Sequence, residues 1–510
     1  MTTTRRNIAR LVVACLLAVA AFAAYHFYLR ELMLESGLIL GAVRPGKKVY
    51  RIVPLYIYWR PRIKTGVLIA AAVVACFVCW LRRSLLASGT REIAGSSESS
   101  TTAPHSQTHV SSIESPAGVR PSLAVTHRGR MQFVVALMVW HIAIAVSVAL
   151  IDGGPQKLWE PYIVHRRSEY IGAVDQIARP RDFLRDYPRL MPELPLHCRT
   201  HPAGAPLVLW AIAHVFGSGA FSASMATILL SSLAAPAVYL LARDVLDEAP
   251  ARLAGGLFVL APNIACYSAT CMDAVFMVPL VWSFYFLWHG RVGRSVVWGV
   301  AGGISTSIAA VLTFSTAFVA LWAVVVIGLT ILFDRPRLKS TLLTLIAALL
   351  ASAVFYCLLY AWSGYNPLEV LGQAFVDQDE EMISRGHSSL RQWFHFAVTN
   401  LVAFFFCAGI PLTLFWFRQT VRELRTATAT RARWLSLSFA LTLLAFDAAP
   451  LYTIETERLW IFLVGFLAIG ASARVSQAVT SLGSSKFVLV ALLLQAGQTI
   501  MMEALLDWVW

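Results

Sequence analysis

Stretches of about 20 mostly apolar residues, each the length of a bilayer-crossing helix, recur along this chain and leave it few other ways to fold. They fall at about 8–29, 64–81, 131–151, 222–242, 252–270, 273–289, 295–313, 315–333, 340–362, 394–417, 434–450, 459–474 and 487–505, thirteen in all. Only 14% of the 510 residues are charged and 58% are hydrophobic, whereas a soluble domain carries roughly 25% charge. The chain therefore reads as an all-α polytopic membrane protein. Its 16 Trp, 15 Tyr and 28 Phe suit anchoring at the membrane interface. The net charge of +14 is gathered in short loops, which the positive-inside rule explains without nucleic acid as a partner.

Charge also sets the orientation. The apolar segment Ala205–Gly217 is short for a span, so it is expected on the membrane surface. With the N-terminus inside, the basic loops Arg82–Arg130, Arg243–Arg252, His289–Arg294, Asp334–Lys339, Arg418–Arg433 and Arg474–Lys486 then all face the cytoplasm. If Ala205–Gly217 crossed, each later loop would invert. Arg30–Lys64 is the exception, a basic loop on the expected outer side.

Three regions follow. Residues 1–86 form an N-terminal transmembrane helix pair, its first helix an uncleaved anchor because no small-residue cleavage site follows it. Residues 87–130 are a Ser-rich cytoplasmic linker too poor in apolar residues to pack. Residues 131–510 make the transmembrane body, with 152–221 as its first large outer loop. The eight cysteines lie mostly in apolar runs and give no disulfide framework, although Cys198 and Cys271 share the expected outer side.

Candidate chemistry concentrates in that loop and at three later points. His165–Trp210 holds Glu169, Asp175, Arg199 and His201. A helix from Arg166 would point Glu169 and Asp175 in different directions, so only one of them would face a given cavity. Asp273 is a lone carboxylate at the mouth of an apolar helix, where facing lipid is costly. Arg199-Thr-His201-Pro202 leads into a helix whose free N–H groups can receive an anion. In Glu455-Thr-Glu457-Arg458 the arginine can clamp a phosphate or snorkel, with Glu457 or Glu455 holding it. Asp377-Gln-Asp379-Glu-Glu381 offers oxygen ligands to a hard cation, but acidic runs of this length are usually solvated loop. No metal ligand set and no cofactor is otherwise implied. Walker A, G-x-S-x-G, H-E-x-x-H and Rossmann patterns are all missing from the sequence.

The order of these features resembles the GT-C fold glycosyltransferases, among them protein O-mannosyltransferases, the lipid A aminoarabinose transferase and the lipopolysaccharide galacturonosyltransferases. Glu169-Tyr170 resembles the acidic start of their first outer loop, and RTHPAGAPLVLW its end. CMDAVFMVPLVW is similar to their later acidic helix mouth, and ETERLWIFL to an E-x-x-R-x-W-x-F segment of some bacterial members. The likeness covers about 131–475. The loop opens on Glu169 without a clear Asp-Glu pair, so the base remains open between Glu169 and Asp175. Ala203 stands where relatives often have Pro.

The resemblance implies a GT-C-like core with outer-face juxtamembrane helices. It implies transfer of a sugar, with inversion, from a polyprenyl-phosphate donor instead of a soluble nucleotide sugar to an extracytoplasmic acceptor (lipid, glycan or protein). Glu169 or Asp175 would be the base and Asp273 a positioning carboxylate; Arg199, His201, Glu457 and Arg458 would bind phosphate or substrate. The other partners would be membrane lipids, with the site outside the plasma membrane. The rival readings are a transporter or lipid/glycan flippase, against which the lack of visible repeats counts, and a glycan ligase or polymerase of the same topology.

Overall fold

The computed structural model describes residues 3–24, 57–59, 65–97, 127–166, 169–269, 271–384, 390–426, 430–449, 455–482 and 486–508. These residues are helical almost throughout. The exception is an antiparallel ribbon that pairs Ile57–Trp59 with Leu506–Trp508. The rest of the basic loop Arg30–Lys64 and most of the expected linker lie outside the described residues, although the helix Thr65–Ser97 runs into the stretch expected as linker.

Among the described residues, eight helices are long and apolar enough to cross a membrane, or nine if one bent pair counts as a single span. The expected count of thirteen is not reached, for identifiable reasons. Residues 252–270 are two helices, Glu248–Val259 and Pro262–Tyr267, because Pro262 cannot continue the first. Val296–Leu312 and Arg431–Asp447 have 17 residues each. Asp273–Gly293 is long enough, but it carries Asp273, Pro279 and Arg291. Residues 394–417 are bent by 113° between Ala408 and Ile410, at Gly409, whose φ of +113° suits a residue without Cβ.

That bend strands backbone groups that lipid cannot satisfy. Two glutamines of the last helix, Lys486–Leu505, satisfy them. Gln495 Nε2 donates to Ala408 O at 2.8 Å, and its Oε1 accepts from Leu412 N at 3.3 Å. Gln498 does the same for Phe406 O at 2.8 Å and Ile410 N at 2.7 Å.

The main core is aromatic. Phe284, Phe318, Trp322, Phe439, Phe462 and Phe466 interlock between the helices that follow Asp273 and the C-terminal helices. Leu11 and Phe77 of the first two helices are buried in the same core. The helix Val296–Leu312 lies against Leu338–Ser363 so closely that a Cβ on Gly303 would sit 2.1 Å from Ala348 O.

A second core fills the first large loop, which folds as short helices opened by Pro155, Pro161 and Pro180 in their first turns. The segment Gly204–Phe216 is a separate 13-residue helix. It packs on the 3₁₀ turn Tyr170–Gln176, and Trp210 Nε1 donates to Ile177 O at 2.9 Å.

The helix Asp273–Gly293 is a measuring rod for the molecule. At about 1.5 Å per residue it separates its two ends by roughly 30 Å. Its far end ties basic loops together: His289 Nδ1 lies 2.7 Å from Asp244 Oδ2, and Arg291 forms an ion pair with Asp334 at 2.9 Å. Nearby, Arg252 pairs with Glu248 at 2.8 Å and reaches Ser84 of the second helix. Its near end holds the acidic centre.

Candidate active site

Three distant stretches supply this centre. The first is the loop around Glu169, held by backbone bonds from Glu169 N to His165 O at 2.9 Å and from Gly172 N to Glu169 O at 3.0 Å. The second is the start of the Asp273 helix, tied to the loop through Ser224, whose hydroxyl reaches both Leu158 O and Ala269 O. The third is the short turn Thr456–Leu459, fixed by Thr456 Oγ1 donating to Asn400 O at 2.9 Å and Asn263 Nδ2 donating to Glu457 O at 3.0 Å.

Arg458 is the hub and is only 3% exposed. Its guanidinium meets three carboxylates: Nη2 lies 2.7 Å from Glu455 Oε2, Nε 3.3 Å from Asp273 Oδ2, and Nη1 3.8 Å from Glu169 Oε1. The Cys271 thiol donates to Asp273 Oδ2 at 2.8 Å. His197 Nε2 lies 3.4 Å from Glu169 Oε1. Tyr170 packs edge-on against His201 and Phe276, and lies next to His197. Tyr187 Oη donates to Cys198 O and His201 O at 2.8 and 3.1 Å, fixing the turn that carries both histidines.

Burial decides the protonation of these groups. It pushes Glu169 up to about 7; Arg458 opposes the shift, and Asp273 and Glu455 add to it. Burial pushes His201 down to about 4, so its imidazole is neutral at pH 7. Glu457, also buried, is pushed up to about 8.

Sequence-predicted residues thus divide. Glu169, Asp273 and Arg458 meet, and Tyr170 and His201 line the same place. Asp175 stands apart; its side chain is 74% exposed and pairs with Arg166. The region is not one continuous helix, because Glu169 is extended and a 3₁₀ turn follows it. Between the two acids offered as holders of Arg458, Glu455 makes the ion pair. Glu457 turns away, its Oε2 buried and without a hydrogen-bond partner among the described residues. Arg199 ends the turn Leu196–Arg199, and no carboxylate among the described residues pairs with it.

Sequence reasoning passes over His197. Its i, i+4 spacing to His201 is the signal that could have found it. Among the described residues no group of three or more His, Cys, Asp or Glu is arranged to hold a metal ion. The side chains of Asp379 and Glu381 lie outside the described residues.

Fold and site define a class: a multi-pass helical membrane protein with a buried carboxylate–guanidinium centre at one end of its helices. The family model of dolichyl-phosphate-mannose-protein mannosyltransferases matches residues 200–361, a stretch that includes His201 and Asp273. Among solved structures, the chain is similar to ArnT from Cupriavidus metallidurans bound to undecaprenyl phosphate, with 13% identity and a TM-score of 0.44 over 69% of this chain and 61% of that one. It is also similar to the Archaeoglobus fulgidus oligosaccharyltransferase in the apo form, with 14% identity and a TM-score of 0.48 over 73% and 56% of the two chains. A third likeness is to the archaeal oligosaccharyltransferase AglB of A. fulgidus in complex with an inhibitory peptide and a dolichol-phosphate, with 14% identity and a TM-score of 0.47 over 74% and 56%. The chain spans 56–61% of the length of the proteins named here. No curated protein sequence matches it.

Proposed function

We propose that the protein is a GT-C-type membrane glycosyltransferase that moves a sugar from a polyprenyl-phosphate donor to an extracytoplasmic acceptor. The observation that carries this reading is the convergence of Glu169, Asp273 and Arg458 in one buried centre. The mannosyltransferase model over 200–361 supports it.

In the proposed reaction, the Glu169 carboxylate takes the proton of the acceptor hydroxyl as that oxygen bonds to the anomeric carbon. The bond from this carbon to the donor phosphate breaks, and the phosphate leaves with the electron pair. Attack opposite the leaving group inverts the anomeric centre. Asp273 and Arg458 hold the base and one another in place. A phosphate placed on Arg458 would meet three carboxylates already there, so Arg199 is the better cation for the leaving group, with neutral His201 as a hydrogen-bond donor.

The active site faces outward, because the arginine-rich loops gather around the opposite end of the Asp273 helix. In intact cells, and in a background without competing cysteines, Glu193→Cys then reacts with an impermeant thiol reagent and Arg425→Cys does not. The reverse pattern overturns the orientation. The activity is tested by transfer from a radiolabelled polyprenyl-phosphate sugar in membranes. A flippase gives scrambling without transfer.

A further inference from the structure

Glu169 receives the smallest share of Arg458. One guanidinium nitrogen donates to Glu455 at 2.7 Å and another lies 3.3 Å from Asp273 as an ion pair, whereas Glu169 stands 3.8 Å from the third. Hydrogen bonding to a guanidinium stabilises a carboxylate and makes it a weaker base. A base pinned to Arg458 would be a poor proton acceptor.

We infer that Glu455 is a positioning residue that draws Arg458 away from Glu169 and so keeps Glu169 basic. This rests on the reading of Glu169 as the base. A second observation, independent of the distances, concerns the backbone. Glu455 has φ +64°, a left-handed conformation disfavoured for a residue with a Cβ. Its carbonyl accepts from both Arg458 N at 3.0 Å and Leu459 N at 2.9 Å. The turn is thereby locked with the Glu455 carboxylate folded back onto the Arg458 side chain, and a relaxed backbone would aim it elsewhere.

Other titratable groups face this centre from each element packed on it. Burial keeps Tyr162, Tyr170, Cys198 and Cys271 protonated well above neutral pH. His201 stays neutral, and Tyr267 faces Arg458 from the Pro262–Tyr267 helix. His197 lies directly against Glu169. Glu457 and Asp447 are other carboxyls that burial raises into the range of Glu169, so any test has to tell the three apart.

The test is a titration of the purified full-length protein in lipid nanodiscs, followed by the infrared band of protonated carboxyls. It needs no donor or acceptor. A component with a midpoint near pH 7 is expected that is lost in Glu169→Gln and retained in Glu457→Gln and in Asp447→Asn. In Glu455→Gln the midpoint falls by about one unit or more, as for a carboxylate gaining a direct cationic partner. Glu455→Asn does the same and suits the left-handed backbone, which guards against a folding artefact. Glu455→Asp, which keeps the charge, holds the midpoint. In an Arg458→Gln background, removal of Glu455 moves it much less. A midpoint unmoved or raised in both Glu455→Gln and Glu455→Asn overturns the inference, as does an equal shift with and without Arg458. Failure of the underlying reading looks different: Glu169→Gln would then retain normal sugar transfer, whatever its titration.

Discussion

Two buried polar places in this molecule are built on opposite principles. At the Gly409 bend, stranded backbone groups meet Gln495 and Gln498, neutral amides that offer a donor and an acceptor each. At Arg458, three carboxylates share one guanidinium. Matched neutral hydrogen bonds each add about 0.5–1.5 kcal/mol to stability. Unbalanced buried charge works against folding, since each ion loses its hydration. The first place therefore makes sense as a device of the fold. The second does not, and its cost is what the proposed catalytic role would account for.

The largest expected effect tests that contrast directly. Glu169→Gln should lower sugar transfer by roughly 10²–10⁴-fold, measured per folded protein, without loss of folded material. The mirror-image change, Gln495→Leu, should leave Ala408 O and Leu412 N unpaired and destabilise the protein by about 1–3 kcal/mol for each orphaned group. Thermal unfolding in detergent reads this loss, and the surviving protein should keep the wild-type pH profile of transfer. A smaller and graded effect is expected from pH itself. Below about 7 the rate of transfer should fall as Glu169 takes up its proton, approaching tenfold per unit well below the midpoint.

Stability runs the other way in that window. The folded pKa of Glu169 lies above its ordinary value of 4.5, so the folded state binds more protons than the unfolded one between about 4.5 and 7. Its contribution to stability thus declines as pH rises through that range. A centre that gains activity while losing stability over the same pH interval would set it apart from the Gly409 bend, where nothing titrates. The smallest effect is expected at Asp175. Because this side chain is exposed and paired with Arg166, Asp175→Asn should change transfer by less than about twofold, surface ion pairs being weak. Loss of transfer there would move the base along the loop.

Much of this contrast was legible in the chain. Asp273 stands out in sequence because a carboxylate facing lipid is costly, and the partner it finds is Arg458, which the sequence offers as a phosphate clamp or a snorkelling anchor. Helical geometry separated Glu169 from Asp175, and they do part company, although through a 3₁₀ turn. What failed to show depends on geometry that residue type does not encode. Glu455 and Glu457 flank Arg458 almost symmetrically in sequence. The choice between them is made by a left-handed φ at Glu455, and glutamate, unlike glycine or asparagine, gives no hint of that conformation. Gly409-Ile410-Pro411 is a readable break signal, yet the glutamines that make it tolerable lie on another helix. Among the described residues the expected thirteen spans and the eight or nine long apolar helices differ at such breaks and at helices that are short or carry charge, because apolar content alone does not report where a helix stops.

The late position of Arg458 has a consequence for biosynthesis. Glu169 and Asp273 are translated long before the guanidinium that joins them. At about 5–20 residues per second, roughly 10–40 s pass between the emergence of Asp273 and that of Arg458. Over that interval the nascent chain carries carboxylates at the mouth of an apolar helix without their eventual counter-ion, and water or a bound proton has to stand in for it. A chain terminated early would keep that mismatch permanently, giving membrane proteases a physical mark by which to tell an unfinished copy from a complete one.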